Sequence, residues 1–328
     1  MKITVVMSTY NGCMFLKEQL MSIREQTYPV DEVIIFDDAS KDNTVDFLHE
    51  YIYTNKLNSS WHVFPQQHNK GYILSFTEAL KHATGDIIFL ADQDDVWNVN
   101  KVELMVMHMN ENPQILALNA SFDFIDECGQ RKESRYVPFS TNNGWMLFKK
   151  IKSGRLEEIS QRYILKQNIT PGCAMAVRKE LLPDFFSLQD EGIIPHDWKL
   201  NYLAACKKGC YFLNKSLIQY RIHSNNTIGT ELSQTLSSNH RIHTYRVRVN
   251  VYNALNKIWN NVSKRENAKN IRFCEKRISY YNRRIKNLEN NNIPGVIFLS
   301  IYSIFWIGLE GLTTVMDLGT VLEDKKKM

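Results

Sequence analysis

Ile87-Ile88-Phe89-Leu90-Ala91-Asp92-Gln93-Asp94-Asp95-Val96-Trp97 runs from an unbroken apolar stretch straight into three carboxylates within four residues. Large apolar side chains in succession, without polar alternation, read as a strand buried on both faces, the habit of a parallel sheet covered by helices. Carboxylates crowded this closely repel one another and cost stability, unless water or a positive group offsets them. In open α/β sheets ligands bind at the carboxyl ends of the strands, which is where Asp92, Asp94 and Asp95 fall. A divalent cation shared with a diphosphate would relieve the repulsion, because Mg²⁺ and Mn²⁺ prefer carboxylate and phosphate oxygens. A solvated acidic turn is the alternative, so the neighbouring segments have to decide.

Toward the N-terminus the same pattern recurs. Apolar runs at Ile3–Met7, Val33–Phe36 and Trp61–Phe64 alternate with amphipathic stretches at 14–27, 42–54 and 71–83. Phe15, Leu16, Leu20 and Ile23 fall near a 3.6-residue period, which predicts a helix covering one face of a sheet. Pro29 ends that pattern, and Asp42 is placed to cap the next helix. Strands alternating with helices of this length imply βαβ crossovers and a mainly parallel sheet, an α/β fold. Beyond the acidic motif the spacing predicts a helix over 98–112 and strands at 115–125 and 172–177. A further helix is expected from about 196, with short strands at 210–213 and 217–222. Two more strand ends carry polar residues: Ser8-Thr9-Tyr10-Asn11, and Asp37-Asp38-Ala39-Ser40-Lys41-Asp42. Either could be helix-cap decoration, but three such ends along one sheet edge describe a pocket.

These motifs, followed by Asn69-Lys70-Gly71 and Gly85-Asp86, stand in an order and spacing that resembles family 2 glycosyltransferases. The form Asp92-Gln93-Asp94-Asp95-Val96-Trp97 resembles bacterial members that build cell-surface polysaccharides, rhamnosyltransferases among them. A weaker likeness continues through Pro171-Gly172-Cys173-Ala174-Met175, His196-Asp197-Trp198 and Tyr220-Arg221-Ile222-His223, to about residue 230. The resemblance implies a GT-A-type, Rossmann-like fold and a nucleoside-diphosphate-sugar donor, dTDP-rhamnose or a UDP-sugar. It implies that Thr9, Tyr10, Asn11 and Asp38 lie along the nucleoside, with Asp38 accepting from the base N–H. Asn69 and Gly71 would sit where the chain approaches the nucleotide. Asp92 and Asp94 would face ribose and diphosphate, and Asp94 or Asp95 would touch a Mg²⁺ or Mn²⁺ cofactor.

Asp197 is the candidate catalytic base. A carboxylate with a reference pKa near 4 is ionised at neutral pH and can take the proton of an attacking hydroxyl. Its position after Pro195, at the start of a helix, would equally suit a carboxylate balancing the helix dipole; the match to His-Asp in the family favours catalysis. Arg221 and His223 follow a strand and could meet the diphosphate, although surface ion pairs are a close alternative. The chain has no Gln-x-x-Arg-Trp motif of the processive members, which suggests addition of one sugar per encounter. A sugar-nucleotide pyrophosphorylase would need a Gly-rich, basic N-terminal loop, and Thr9–Cys13 is not one. A non-catalytic, glycan- or membrane-binding relative of the same fold is the other rival.

The 328 residues allow one large domain and an appendage. We expect a glycosyltransferase domain over 1–235, with a nucleotide-binding half at 1–110 and an acceptor-binding half at 111–235, then a helical region over 236–328. Charge divides the same way: residues 1–240 hold 24 Lys+Arg against 28 Asp+Glu, and residues 241–288 hold 13 against 2. That basic stretch is interleaved with Tyr, Trp, Phe and Ile and leads into an uncharged run, Gly295–Leu309, within an apolar segment at 295–318. The run is short of the roughly 20 residues that span a bilayer. Basic, aromatic helix beside apolar helix suggests docking on an anionic membrane surface through 241–318, with packing onto the protein as the alternative. No RNA-binding signature accompanies it, so no nucleic acid is expected. Ile3–Met7 is too short for a secretory signal. The six scattered cysteines lack disulfide or zinc spacing. Both suggest a cytoplasmic protein, and the family resemblance implies a lipid-linked glycan as acceptor, which would suit an enzyme peripheral on the inner membrane face.

Overall fold

The structure is a computed structural model that describes residues 1–132, 151–166, 168–188, 193–224, 238–263, 268–306 and 317. Parts of the expected acceptor half (133–150, 189–192 and 225–235), and 307–316 and 318 of the apolar segment, lie outside the described residues. The chain divides into two compact units, Met1–Leu188 with Ile194–Asn226, and Gln189–Ile193 with Thr227–Met328.

The first unit opens with β1 (Ile3–Thr9), α1 (Cys13–Arg24), β2 (Glu32–Asp37), α2 (Thr44–Thr54), β3 (Trp61–Pro65), α3 (Tyr72–His82) and β4 (Ile87–Ala91). β5 (Val96–Trp97), α4 (Lys101–Glu111), β6 (Ala117–Ile125), β7 (Arg131–Lys132) and β8 (Leu156–Glu158) follow. α5 (Gln161–Ile164), a 3₁₀ turn at Gly172–Ala174, β9 (Met175–Arg178), α6 (Leu182–Ser187), α7 (His196–Cys206) and β10 (Cys210–Arg221) complete it. One sheet joins them in the order β3-β2-β1-β4-β9-β6-β10-β5, with β7 on β6 and β8 on β10. As the apolar runs predict, β1 to β4 are parallel neighbours, and every residue of β2 and β4 is buried. α1 turns Phe15, Leu16, Leu20 and Ile23 inward. Each such fully buried aliphatic or aromatic side chain contributes about 1.5–3 kcal/mol.

β9 is the element that places the site. It pairs antiparallel with β4 on one side and with β6 on the other, and β6 pairs parallel with β10. The two reversals cancel. β10 therefore points the same way as β4, and its carboxyl end arrives at the edge where β1, β2 and β4 end.

Local details depart from the sequence expectation for visible reasons. α1 stops at Arg24 rather than near Pro29. Gln26 is drawn into bonds with the Asn98 carbonyl (3.0 Å) and the Val102 N–H (3.0 Å), and Thr27 N–H donates to Val99. Asn43, not Asp42, flanks α2; the Asp42 carboxylate instead accepts the Thr44 N–H at 3.1 Å. The two short strands expected at 210–213 and 217–222 are one strand. Its pairing with β6 shifts register between Leu213 and Ser216 and again before Gln219, so β10 absorbs the polar Asn214-Lys215-Ser216 as an irregularity without ending.

The second unit holds α8 (Ser238–Ser263), α9 (Ala268–Glu289) and α10 (Ile293–Trp306). α9 buries Ile271, Cys274, Arg277, Tyr281, Arg284 and Leu288, a stripe at three- and four-residue steps that includes two arginines. Part of the basic excess is thus internal. Arg284 Nε donates to Asp317 Oδ2 at 2.8 Å, Tyr245 OH donates to Asp317 Oδ1 at 2.7 Å, and Arg241 lies 3.4 Å from the same carboxylate. The Arg284 guanidinium also lies over the Tyr245 ring at 4.0 Å. Asp317, which interrupts the apolar segment in sequence, is therefore tied to protein cations. On α10, Val296 and Leu299 are buried while Ile297 and Phe298 are exposed. Among the described residues, no helix is long and apolar enough to cross a membrane.

Candidate active site

The loop after β1 is fastened to its neighbours before any ligand is considered. Buried Thr9 donates its hydroxyl to Asp37 Oδ2 at 2.8 Å, and Asp37 Oδ1 accepts the Ser40 N–H at 2.9 Å. Tyr10 is exposed, and Gln93 clamps its backbone, accepting the N–H at 2.8 Å and donating to the carbonyl at 3.1 Å. Asn11, in the left-handed region at φ 47°, donates its N–H to Ser40 Oγ and accepts the Lys41 N–H, each at 2.8 Å. Thr9, Tyr10, Asn11 and the 37–41 turn are thus brought together.

Asp38 is buried. Its two oxygens accept the backbone N–H groups of Lys70 (2.7 Å) and Gly71 (2.8 Å), where α3 begins. Asn69 Nδ2 donates to the Asp38 carbonyl at 3.2 Å. Gly71 turns the chain into α3 at φ 83°, a conformation that side-chain-bearing residues rarely adopt. The structure thus makes Asp38 the anchor of the 69–71 loop, and each carboxylate oxygen keeps a second lone pair for another donor.

At the end of β4 the carboxylates separate into two environments. Asp95 is fully buried and its Oδ1 accepts the Arg221 N–H at 3.0 Å. Ligand atoms of Asp92, Asp95 and Cys173 lie within 4.8 Å of one another. Burial first, then the charge of Asp94, pushes Asp92 up to about 7 and Asp95 well above the ordinary carboxylate range. Behind them Lys101, with no exposed surface, donates to the Cys173 carbonyl at 2.7 Å and lies 3.3 Å from the centre of the Trp97 ring. Burial brings its ammonium down to about 7, against the charges of Asp95 and Asp92 that hold it up.

Asp94 looks the other way. Its Oδ2 stands 2.8 Å from His223 Nε2, and the His223 ring rests 4.8 Å from Phe15. Arg221 does not face the pocket as the expected diphosphate ligand would. It is wholly buried, and its guanidinium donates to the carbonyls of Asp94 (2.8 Å), Asp126 (3.2 Å) and Glu127 (3.1 Å) and to the Glu18 carboxylate. These protein acceptors make it a strut between the acidic loop and the 126–129 turn.

A divalent cation has two candidate settings here, since Asp92 and Asp95 bring oxygens together on one side, with Asp95 Oδ2 buried and unpartnered among the described residues, and Asp94 meets His223 on the other. A carboxylate oxygen and an imidazole nitrogen that converge at 2.8 Å and keep some surface, Asp94 and His223, can turn toward a shared ion. The Asp95 carboxylate is closed off, and the Cys173 thiol beside it is pushed well above its ordinary value by burial, so it stays protonated and is a poor ligand. Asp94 and Asp95 thus stand in different surroundings, with His223 as the closer companion of Asp94 and Asp92 beside Asp95.

Asp197 stands in the first turn of α7. It accepts the Trp198 N–H at 2.7 Å, its own N–H, the Gly172 N–H and a bond from Asn168. Those donors favour the anion, yet burial prevails and pushes the carboxyl up to about 6. Asp92 feels the charge of Asp197, and Tyr72 feels both, so β4 and α7 contribute to one site. Sequence reading passed over Glu18, Gln19, Gln93, Lys101 and Asn168. Each acts through a partner remote in sequence, as when Gln19 donates to the Asp92 carbonyl at 2.7 Å; Gln93 stands within the acidic motif, where only the carboxylates drew notice, and the others carry no local motif.

Comparison with known proteins follows the same outline. Residues 4–185 match the family described as Glycosyl transferase family 2. The chain belongs to that family. It is a glycosyltransferase of GT-A fold, which sets aside the pyrophosphorylase and non-catalytic rivals. The teichuronic acid biosynthesis glycosyltransferase TuaG of Bacillus subtilis, whose function is itself described as putative, is 31% identical over 109 residues, 33% of this chain and 42% of TuaG. The family 2 chain is also 28% identical to the dTDP-rhamnosyl transferase RfbG of Shigella flexneri over 240 residues, 69% of this chain and 75% of RfbG. Among solved structures, residues 1–349 of S. aureus TarS in complex with UDP-GlcNAc align with a TM-score of 0.58 at 19% identity, over 100% of this chain and 92% of that one, a likeness of fold.

Proposed function

We propose that this glycosyltransferase moves one sugar from a nucleoside-diphosphate sugar to a hydroxyl of a growing surface glycan, with inversion at the anomeric carbon. The observation that carries the reading is the convergence of Asp92 and Asp94 at the end of β4 with His223 after β10 and Asp197 on α7. In the proposed reaction the acceptor oxygen bonds to the anomeric carbon as the bond to the diphosphate breaks, and Asp197 takes the acceptor proton. A carboxyl at about 6 is mostly ionised at neutral pH and more basic than an exposed aspartate, which suits that task. Mg²⁺ or Mn²⁺, held by Asp94 and His223, would offset charge on the departing diphosphate. Thr9, Tyr10, Asn11, Asp38, Asn69 and Gly71 form the nucleoside side of the pocket. Arg221 serves by fixing the acidic loop.

dTDP-rhamnose is the first donor to test, supported by the extent of the RfbG alignment; UDP-sugars come next. The name of TuaG supports a surface polysaccharide as product. A lipid-linked acceptor would suit an enzyme resting on the inner membrane face. The exposed Ile297 and Phe298 of α10, with exposed Lys269, Arg272 and Lys276 of α9, support such docking. Flotation with anionic vesicles tests it: substituting both apolar residues by serine should release the protein, and continued flotation would end the docking idea for α10.

The central reading is tested by thermal shift with UDP, dTDP, GDP and CMP, each with Mn²⁺, Mg²⁺ or EDTA. A ligand present at 100 times its dissociation constant stabilises the folded state by about 2.7 kcal/mol. A metal-dependent shift with one nucleoside diphosphate supports the proposal and names the donor class, whereas no shift with any of them removes it.

A further inference from the structure

Tyr72 opens α3 directly after Gly71, whose N–H is held by Asp38. It is half-buried, and its hydroxyl makes no hydrogen bond to any described residue. The hydroxyl lies within electrostatic reach of two carboxylates from different elements, Asp197 on α7 and Asp92 after β4. A polar group without a partner among the described residues, within reach of carboxylates from two elements, leaves its hydrogen bond for a ligand.

The ring is also held. Its edge meets His196 in a T-shaped contact with centroids 6.0 Å apart, and His196 in turn stacks on Phe76 at 4.0 Å. Neither His196 nitrogen has a hydrogen-bond partner, and burial brings the imidazole down to about 3. His196 is therefore a neutral plate between α3 and α7. Gly172 makes room for it, since a Cβ there would fall 2.8 Å from His196 Nε2. A phenol in T-shaped contact with a stacked aromatic pair, within electrostatic reach of Asp92 and Asp197, matches a pyranose, whose C–H face packs on aromatic rings and whose hydroxyls need directed donors.

We propose that Tyr72 orients the transferred sugar, donating its hydroxyl hydrogen bond to that sugar between Asp92 and Asp197, and so helps determine which donor is used. The inference rests on the transferase reading above and deepens it. Burial first, then the charges of Asp197 and Asp92, push the phenol up to about 12, so it remains a donor through the working pH range. The hydroxyl contributes through alignment, because small misplacements of the anomeric carbon relative to the attacking oxygen are costly in rate. It also favours sugars that present a hydroxyl at that point over analogues that lack one.

The test compares wild type, Tyr72→Phe and Tyr72→Ala. It follows nucleoside diphosphate release from dTDP-rhamnose, UDP-GlcNAc and GDP-mannose, and measures thermal shifts with the corresponding nucleoside diphosphates. Removal of the hydroxyl alone in Tyr72→Phe should lower kcat on the preferred donor about tenfold or more. Its melting temperature and its response to the nucleoside diphosphate should stay as in wild type. Tyr72→Ala should lose further and narrow the preference among the three donors. Wild-type kinetics in Tyr72→Phe would overturn the role of the hydroxyl, as would an equal loss of nucleoside diphosphate binding, which marks a structural effect. A wild type that releases product from none of the donors, and binds none of the nucleotides, would bring down the transferase reading and this inference with it.

Discussion

Asp95 in the first unit and Asp317 in the second are both buried carboxylates, and their surroundings are opposite. Around Asp317 two arginines and a tyrosine hydroxyl converge on one acid. Around Asp95 two further carboxylates, Asp94 and Asp92, and a buried thiol share a single internal lysine, and burial pushes Asp95 and Asp92 up and the lysine down. The first arrangement is complete in itself. The second is left in deficit of positive charge, and such deficits persist where a cation or substrate makes up the difference. Buried charge is balanced by protein partners around Asp317 and is not balanced around Asp95.

The comparison is sharpened most by Asp197→Asn. Loss of the base should lower kcat by about 10³-fold, on the order of 4 kcal/mol, with nucleotide binding retained; unchanged turnover would remove Asp197 from catalysis. The wild-type rate should fall as pH drops through about 6, where the carboxyl takes up a proton, and the pH–rate profile should show that limb. The folded-state value lies above the ordinary 3.8, so its contribution to stability is full below that value and is lost as pH rises through about 6. Asp197→Asn should accordingly melt no lower than wild type at pH 8, by calorimetry.

Next in size is Asp317→Ala, which takes the shared carboxylate away from two buried arginines. A loss of about 3–5 kcal/mol is expected, read by urea titration of the helical signal, with turnover far less affected than in Asp197→Asn. A loss below about 1 kcal/mol would be that of a surface pair and would break the contrast between the two sites. The smallest effect belongs to Arg246→Ala. Its pair with Glu289 at 2.8 Å is exposed on both sides, so no more than about 0.5 kcal/mol should be lost in the same titration.

The parallel half of the sheet was legible because every one of its strands and helices carries its own period. β1 to β4 and α1 to α4 stand close to where the apolar runs and amphipathic stretches put them. β5 and β7, at two residues each, are too short to carry a pattern and exist only through their partners. In the site, the carboxylates were legible as motifs at strand ends. The sequence could not show that Asp94 and Asp95 face opposite ways, or that Arg221 turns inward while His223, two residues on, turns to the pocket. Those orientations are set where β10 meets β6 and the acidic loop. Alternation between inner and outer faces is also why adjacent motif residues so often have unlike tasks. The basic stretch shows a comparable limit, because a count of charges does not reveal that Arg241, Arg277 and Arg284 are buried while Lys269, Arg272 and Lys276 are exposed.

The double reversal at β9 also bears on the order in which the chain can fold during synthesis. β1 to β4 form from consecutive crossovers, but β4 has no outer neighbour until Met175–Arg178 is made, and β10 follows later still. Throughout that interval the nascent protein presents an unpaired apolar edge strand, the kind of surface on which chains aggregate and which chaperones shield. The pairing that brings His223 beside Asp94 is also the one that closes the sheet beyond β6. Completion of the site and protection of the young chain therefore come late, and nearly together.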